Sequence, residues 1–175
     1  MVGLILAKSD SSRLKNKNTV DFHGVPMFVV NLRKMLKVFP TVFVSTDSRS
    51  IAERAREEGA ETIMRSRRLC GDTPNICVYQ HAMWDMDDDF VAVQANSPTI
   101  DIQLIKTARE LLKNYDEVMT CHDDYSIYGS IWAITKDKLK GYDNHYDPKP
   151  DILIKDPSVD IHTEEDLQRA LKAVV

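Results

Sequence analysis

Residues 8–18 place four cations, Lys8, Arg13, Lys15 and Lys17, among three serines and the asparagines 16 and 18. A polyphosphate suits that mixture. Ammonium groups act as point charges, a guanidinium acts as a planar fork, and hydroxyl and backbone N–H groups add neutral donors. The bland alternative is a solvated basic loop. Neither the G-x-x-x-x-G-K-[ST] loop nor G-x-G-x-x-G occurs, so the two commonest nucleotide loops are excluded. A second basic cluster follows at Arg65, Arg67 and Arg68. A polar loop with a proline, residues 94–99, follows the apolar run 90–93. Four of the five residues 85–89 are aspartates, but the spaced ligands and terminal Glu of a calcium loop are missing, and an exposed turn is the reading. No Ser/His/Asp or Cys/His arrangement is supported by residue types alone.

The elements that must carry these loops alternate along the chain. The apolar run 2–7 ends abruptly in the basic loop, as expected for a strand buried on both faces. Gly24 marks a turn, with Pro26 at the first position of a helix running to about Val38. Strands follow at 41–45, 61–64, 90–93, 117–121, 127–134 and 152–154, and helices at 51–58, 74–84, 102–112 and 135–139. Asp72 or Thr73 is expected to cap the helix starting near Pro74, and Gly59 to end the helix before it. Thr163 and Asp166 form a capping-box-like start for a last helix. Residues 141–150 read as an irregular loop. Trp84 and Trp132 sit in apolar runs and are expected in the core. Gly129 is expected where a backbone approaches a ligand. The alternation, without repeats or a linker, predicts one α/β domain over 1–175 with a mostly parallel sheet. In such sheets ligands bind beyond the carboxyl ends of strands, where the loops 8–18 and 94–99 fall.

Composition narrows the class. With 175 residues, 43% of them hydrophobic, the chain can build a full core. A formal net charge of −4 argues against a general nucleic-acid binder and leaves room for a local anion site. No apolar stretch approaches a membrane span, and the first residues read as a core strand and not a signal peptide. Three cysteines without C-x-x-C suggest neither a disulfide framework nor zinc, and point to a cytoplasmic protein. Cys121 is expected in the core.

Taken in order, these segments resemble the cytidylyltransferases that activate keto-sugar acids, the family of acylneuraminate cytidylyltransferase (CMP-sialic acid synthetase) and CMP-3-deoxy-octulosonate synthetase. Residues 7–18 are similar to A-R-x-x-S-x-R-L-P-x-K and its S-K-x-x-P-x-K-N variant. Residues 44–47 and 51–60 resemble the second strand and helix. Arg65, Leu69 and residues 71–73 resemble R-P-x-x-L-x-x-D-T, residues 94–98 resemble Q-P-T-S-P, and residues 159–167 resemble I-D-I-D-T-P-E-D-L. The resemblance implies a single Rossmann-like nucleotidyltransferase domain, three layers α/β/α. It implies transfer of CMP from CTP to the anomeric hydroxyl of a sialic-acid- or octulosonate-like acid, with Mg²⁺ and release of pyrophosphate.

By the same resemblance, Lys8, Arg13 and Lys17 hold the triphosphate as catalytic cations. Ala7, Ser11, Asn18, Arg65, Gln94, Asn96 and Ser97 line the nucleotide, and Asp160 and His162 face the metal. Several positions depart from the pattern. His162 replaces the second carboxylate, which makes Mn²⁺ an alternative metal. Asn96 stands where the octulosonate branch has Asp, Lys8 replaces Arg, and Lys15 replaces Pro. The family's dimerisation insertion is missing near 122–127, so a monomer or a different dimer is expected. The partners expected are CTP and a small sugar acid, with neither nucleic acid nor membrane. Two other functions stay open: a catalytically degenerate nucleotide-binding or assembly protein, and a nucleotidyltransferase for a different small sugar or sugar phosphate.

Overall fold

A computed structural model describes residues 1–9, 11, 13–143 and 147–173. The middle of the expected loop 141–150 lies outside them. The first strand, β1 (Val2–Leu6), is central, paired in parallel with β4 (Val42–Thr46) on one side and β6 (Phe90–Gln94) on the other. The sheet has seven strands in the order β5-β4-β1-β6-β8-β7-β9. Here β5 is Glu61–Met64, β7 is Glu117–Cys121, β8 is Ile127–Ile134 and β9 is Ile152–Lys155. The chain runs outward from β1 through β4 to β5, then returns across β1 to β6. That reversal between β1 and β6 is the topological switch point, where the two diverging loops open a crevice.

Parallel pairing holds throughout except at β8, which runs antiparallel to both β6 and β7. The short turn 122–126 makes this possible, since adjacent antiparallel strands need only a hairpin. Its backbone closes with His122 N–H accepted by Ser126 O at 3.0 Å.

Helices cover both faces. On one face α1 (Met27–Leu36), α2 (Arg49–Glu57) and α4 (Ile102–Leu111) bury Phe28, Leu32, Ile51 and Ile105 against Ile5, Val44 and Val93. On the other, α3 (Asn75–Met86) and α5 (Lys136–Lys140) bury Ile76, Tyr79 and Leu139 against Leu4, Phe90 and Trp132. Alternate residues of one strand therefore serve opposite cores, which is why β1 is apolar without a break. A third, smaller core joins Phe22 and Met27 to Ile161, Leu167 and Ala170 of the last segment and α6 (Glu164–Ala173).

Several local expectations change. Before α1 lies a hairpin, β2 (Asp21–Phe22) and β3 (Val25–Pro26), turning through His23 and Gly24, both at positive φ. Positive φ at both turn residues matches the twist of a two-residue hairpin. Pro26 thus closes the hairpin and precedes the helix. The helix α3 extends to Met86, and neither Asp72 nor Thr73 caps it. Pro74 is its N-cap residue, while Thr73 Oγ1 donates to Arg68 O and Cys70 O at 3.1 and 3.0 Å. Trp84 is 85% exposed, because it lies on the side of α3 away from the sheet; Trp132 is buried as expected. The reciprocal Thr163–Asp166 pair read from sequence is in place, and Ser48, Asp101 and Thr135 cap α2, α4 and α5. Gly59, at φ 96, ends α2 as expected, and Cys121 is fully buried.

Gly3 shows how closely β1 is packed. A Cβ there would meet Met35 Cε at 2.8 Å, Phe39 Cδ2 at 3.1 Å and Val42 Cγ2 at 3.2 Å. Gly3→Val is expected to lose about 1–3 kcal/mol by overpacking. Thermal unfolding followed by circular dichroism checks this, and an unchanged midpoint would contradict the packing described here.

Candidate functional site

The crevice at the switch point is a cleft of about 280 Å³. The end of β1 supplies Leu6 and Lys8 to its wall, and the end of β6 supplies Gln94, Asn96 and Ser97. Lys17 and Asn18, Arg65, Tyr128, Asp160 and His162 add to its polar lining, beside Thr73 and Asn75. Nine residues expected from sequence at this site thus meet at one place, drawn from four separate stretches of chain.

The basic loop is held in shape by its own polar groups. Lys17–Thr19 form one turn of 3₁₀ helix, entered through Asn16 in the left-handed region at φ 54. Asn18 is buried, and its Nδ2 donates to Lys8 O at 2.9 Å. Lys8 Nζ in turn donates to Gly71 O at 3.1 Å, tying the loop to the segment after β5. Ser9 donates through both N–H (2.7 Å) and Oγ (2.6 Å) to the Asp47 carboxylate. Burial raises the Asp47 pKa, yet these bonds from Ser9 outweigh it and hold the carboxyl below its ordinary range.

Lys17 is a cleft cation altered by its surroundings. Burial pushes its pKa down from the usual 10.5; the Asp160 carboxylate pulls it up, and Arg13 and Lys8 push it down again. Arg65 is buried at the cleft floor. Its backbone N–H bonds to Thr46 O at 2.9 Å, and one terminal nitrogen reaches Ser45 Oγ at 3.5 Å. Its Nε is buried without a hydrogen-bond partner among the described residues.

The opposite wall is a carboxylate with two neighbours. Asp160 Oδ1 accepts from Asn96 Nδ2, and Oδ2 lies 2.5 Å from His162 Nε2. His162 N–H bonds to Asp166 Oδ2 at 3.0 Å, and its Nδ1 is buried without a partner among the described residues. The segment is positioned from behind by buried Asp156, which accepts from Ser130 Oγ, Ser158 N–H and Ser158 Oγ. Among the described residues, no group of three or more His, Cys, Asp or Glu side chains is placed to hold a metal ion.

Three expected residues lie elsewhere. Ala7 has its side chain in the core and its N–H on Ser45 O at 3.0 Å, so it offers the cleft no side-chain contact. Ser11 lines an adjoining depression with Ser9, Asp47, Arg67 and Asp72. Arg13 is exposed and outside the lining, although close enough for its charge to bear on Lys17. Gly129 has Met119 as its neighbour. It sits at φ 69 beside a register shift in the β7–β8 pairing, and a Cβ there would touch Met119 Cε at 3.4 Å.

Sequence reasoning passed over Tyr128. It stacks on His122, with ring centroids 4.7 Å apart, and its hydroxyl lies 2.9 Å from Ser97 Oγ. Burial raises the phenol pKa, so it stays protonated. The adjacent Gly129 was the available signal, since irregular pairing re-aims side chains beside sites.

With this geometry in hand, the relatives can be placed. The model of the family described as Cytidylyltransferase matches residues 2–143. The chain belongs to the cytidylyltransferase family. The matched stretch includes the loops 8–18, 65–73 and 94–98 but stops short of Asp160 and His162. A curated relative from Helicobacter pylori is named pseudaminic acid cytidylyltransferase and UDP-2,4-diacetamido-2,4,6-trideoxy-beta-L-altropyranose hydrolase. It is 31% identical over 131 residues, covering 69% of this chain and 25% of that protein. The 3-deoxy-manno-octulosonate cytidylyltransferase of Acinetobacter baumannii is 34% identical over 112 residues, covering 62% of this chain and 44% of that protein. The alignments thus span a quarter to under half of these relatives' lengths. A CMP:2-keto-3-deoxy-manno-octonic acid synthetase complexed with CTP superimposes with a TM-score of 0.80 at 16% identity, covering 99% of this chain and 97% of that one. This likeness establishes the α/β nucleotidyltransferase fold of the cytidylyltransferase chain.

The depressed Lys17 pKa gives a test of where anions bind. A polyphosphate beside Lys17 would favour the charged form, so its binding between the lowered pKa and 10.5 would take up protons, with inorganic triphosphate as the probe. Calorimetry in buffers of different ionisation enthalpy measures this uptake. Lys17→Met should abolish it and weaken triphosphate binding by about tenfold or more, the loss of one charged hydrogen bond. Uptake that persists in the variant would move the triphosphate away from Lys17.

Proposed function

We propose that this cytidylyltransferase-family chain transfers CMP from CTP to a keto-sugar acid and releases pyrophosphate. The observation that supports the reading best is the meeting of Lys8, Lys17 and Arg65 with Asp160 in one cleft at the switch point. In the reaction the acceptor's anomeric hydroxyl gives its proton to solvent, its oxygen bonds to the α-phosphorus, and the bond from that phosphorus to the bridging oxygen breaks. Pyrophosphate takes the bonding pair. Little covalent work falls to the protein, and positioning and charge neutralisation dominate.

Lys8 and Lys17 would act as point charges on the triphosphate, with Arg13 adding charge from the rim. Arg65 would add a fork from the floor, and Asn18 would keep the loop folded around them. Gln94, Asn96 and Ser97 would orient the nucleotide and the acceptor. Tyr128, held by Ser97 and backed by His122, would wall the acceptor side with a neutral donor. Ser11 would contribute only from the neighbouring depression.

The residues present fit a hard cation that takes most of its ligands from phosphate and water. Mg²⁺ commonly uses one or two carboxylates together with substrate phosphates, and Asp160 offers one. Mg²⁺ there would offset charge on the phosphate oxygens. His162 would orient Asp160 through Nε2; as a direct ligand it would have to turn away from the carboxylate and would suit Mn²⁺ better. Three cysteines, all free, are consistent with a cytoplasmic setting. The short turn 122–126 leaves no room for a dimerisation insertion, which fits a monomer or a dimer formed elsewhere.

The deciding experiment is pyrophosphate release from each nucleoside triphosphate, with Mg²⁺ or Mn²⁺, against a panel of keto-sugar acids. Release with CTP and one acid is expected, and Lys17→Ala should reduce it at least a hundredfold while the fold persists. CTP binding without release for any acid would overturn the proposed transfer to keto-sugar acids. If loss of a carboxylate limits the metal site, His162→Asp should raise Mg²⁺-dependent turnover. Unchanged turnover would remove position 162 from the metal's surroundings.

A further inference from the structure

The loop after β6 carries Gln94, Asn96 and Ser97 into the cleft, yet what holds that loop comes from a helix the cleft does not touch. Two residues one turn apart on α1 reach it. Asn31 is fully buried, and its Nδ2 donates to Gln94 O at 2.8 Å and to Ser97 O at 2.9 Å. Lys34 Nζ donates to Pro98 O at 2.6 Å and to Ile100 O at 2.7 Å. Four main-chain carbonyls of residues 94–100 are thus gripped from one side.

The grip is asymmetric in a telling way. Asn31 Oδ1 is buried without a partner among the described residues. The amide cannot be reversed to satisfy it, because both loop carbonyls need donors. An unpaired buried acceptor disfavours the fold, so the residue serves the loop's geometry at some expense of stability. The two carbonyls also have turn partners of their own, Ser97 N–H on Gln94 O at 3.4 Å and Ile100 N–H on Ser97 O at 3.2 Å. A chain without the Asn31 amide therefore still pairs these groups and can fold.

The far side of the loop passes its position onward. Asn96 O accepts from Ile161 N–H at 2.9 Å, Thr99 Oγ1 accepts from Val159 N–H at 2.8 Å, and Asn96 Nδ2 meets Asp160. A shift of the loop would move Gln94, Ser97 and Asp160 together relative to Lys8 and Lys17.

We propose that Asn31 and Lys34 are positioning residues for nucleotidyl transfer, clamping the loop 94–100 so that its side chains and Asp160 keep their distance from the cations of the loop 8–18. The proposal rests on the transfer reaction assigned above. Neither residue lines the cleft, so their removal should spare nucleotide binding more than turnover. A displacement of about 1 Å in reacting geometry is enough for a hundredfold change in rate.

The test compares the wild-type chain with Asn31→Leu, Lys34→Met and Lys34→Arg. Backbone amide exchange of residues 94–100, CTP affinity and steady-state kinetics are measured for each. Asn31→Leu and Lys34→Met should exchange faster at 94–100 while distant strands stay protected. Their kcat should fall about tenfold to a hundredfold, with KM for CTP changing less than about threefold. Lys34→Arg keeps charge and donors and should restore most of the rate. Unchanged exchange at 94–100 in Asn31→Leu and Lys34→Met overturns the clamp. Faster exchange with unchanged kcat overturns its part in transfer, and so does a loss confined to KM. An inactive wild type counts against the assigned reaction instead, and the exchange of 94–100 still decides the clamp.

Discussion

Three cations converge on one cleft, and the fold must hold them there against their mutual repulsion. The central position of β1 makes this possible. Because β1 is paired on both sides and covered on both faces, the loop leaving it starts from a fixed point. Lys8 is then tied to Gly71, Asn18 to Lys8, and Ser9 to Asp47, so the loop's charges are set by hydrogen bonds to neighbouring loops. The field they make is visible in Lys17, whose own pKa falls as burial and two nearby cations act on it against Asp160. A cleft that depresses the pKa of a lysine is one in which an added anion finds strong attraction.

The sheet explains why the site gathers residues from so many places. At the switch point the chain leaves in opposite directions, and the diverging loops open a crevice between them. The loops after β1, β5 and β6 converge there from the carboxyl ends of parallel strands. The antiparallel strand β8 enters from the other direction, and its Tyr128 contributes through irregular pairing and not through a terminal loop.

Much of this was legible in the sequence because strands buried on both faces are short unbroken apolar runs, and the loops between them are sharply polar. Lys8, Lys17, Asn18 and Gln94 could be read from such boundaries and from the family resemblance. What escaped depended on three-dimensional neighbours. Trp84 lies among apolar residues in sequence, but a helix packed by one face sends some of them outward. Thr73 has the chemistry of a cap but spends its hydroxyl on the turn before the helix. Ala7 and Arg13 belong to the right motif, yet one side chain turns into the core and the other to solvent. Asn31 and Lys34 look like ordinary helix residues, since nothing local announces that their partners lie more than sixty positions away.

The small third core, where Phe22 and Met27 meet Ile161, Leu167 and Ala170, bears on the charge of the cleft without lining it. The cations come from early in the chain and the carboxylate from late in it; Asn96 and Asp160, which touch, are 64 positions apart. Were that core loosened, the segment 156–173 would no longer hold Asp160 opposite Lys8, Lys17 and Arg65, and the crevice would attract anions in general. An apolar contact outside the cleft thus helps to keep the site two-poled.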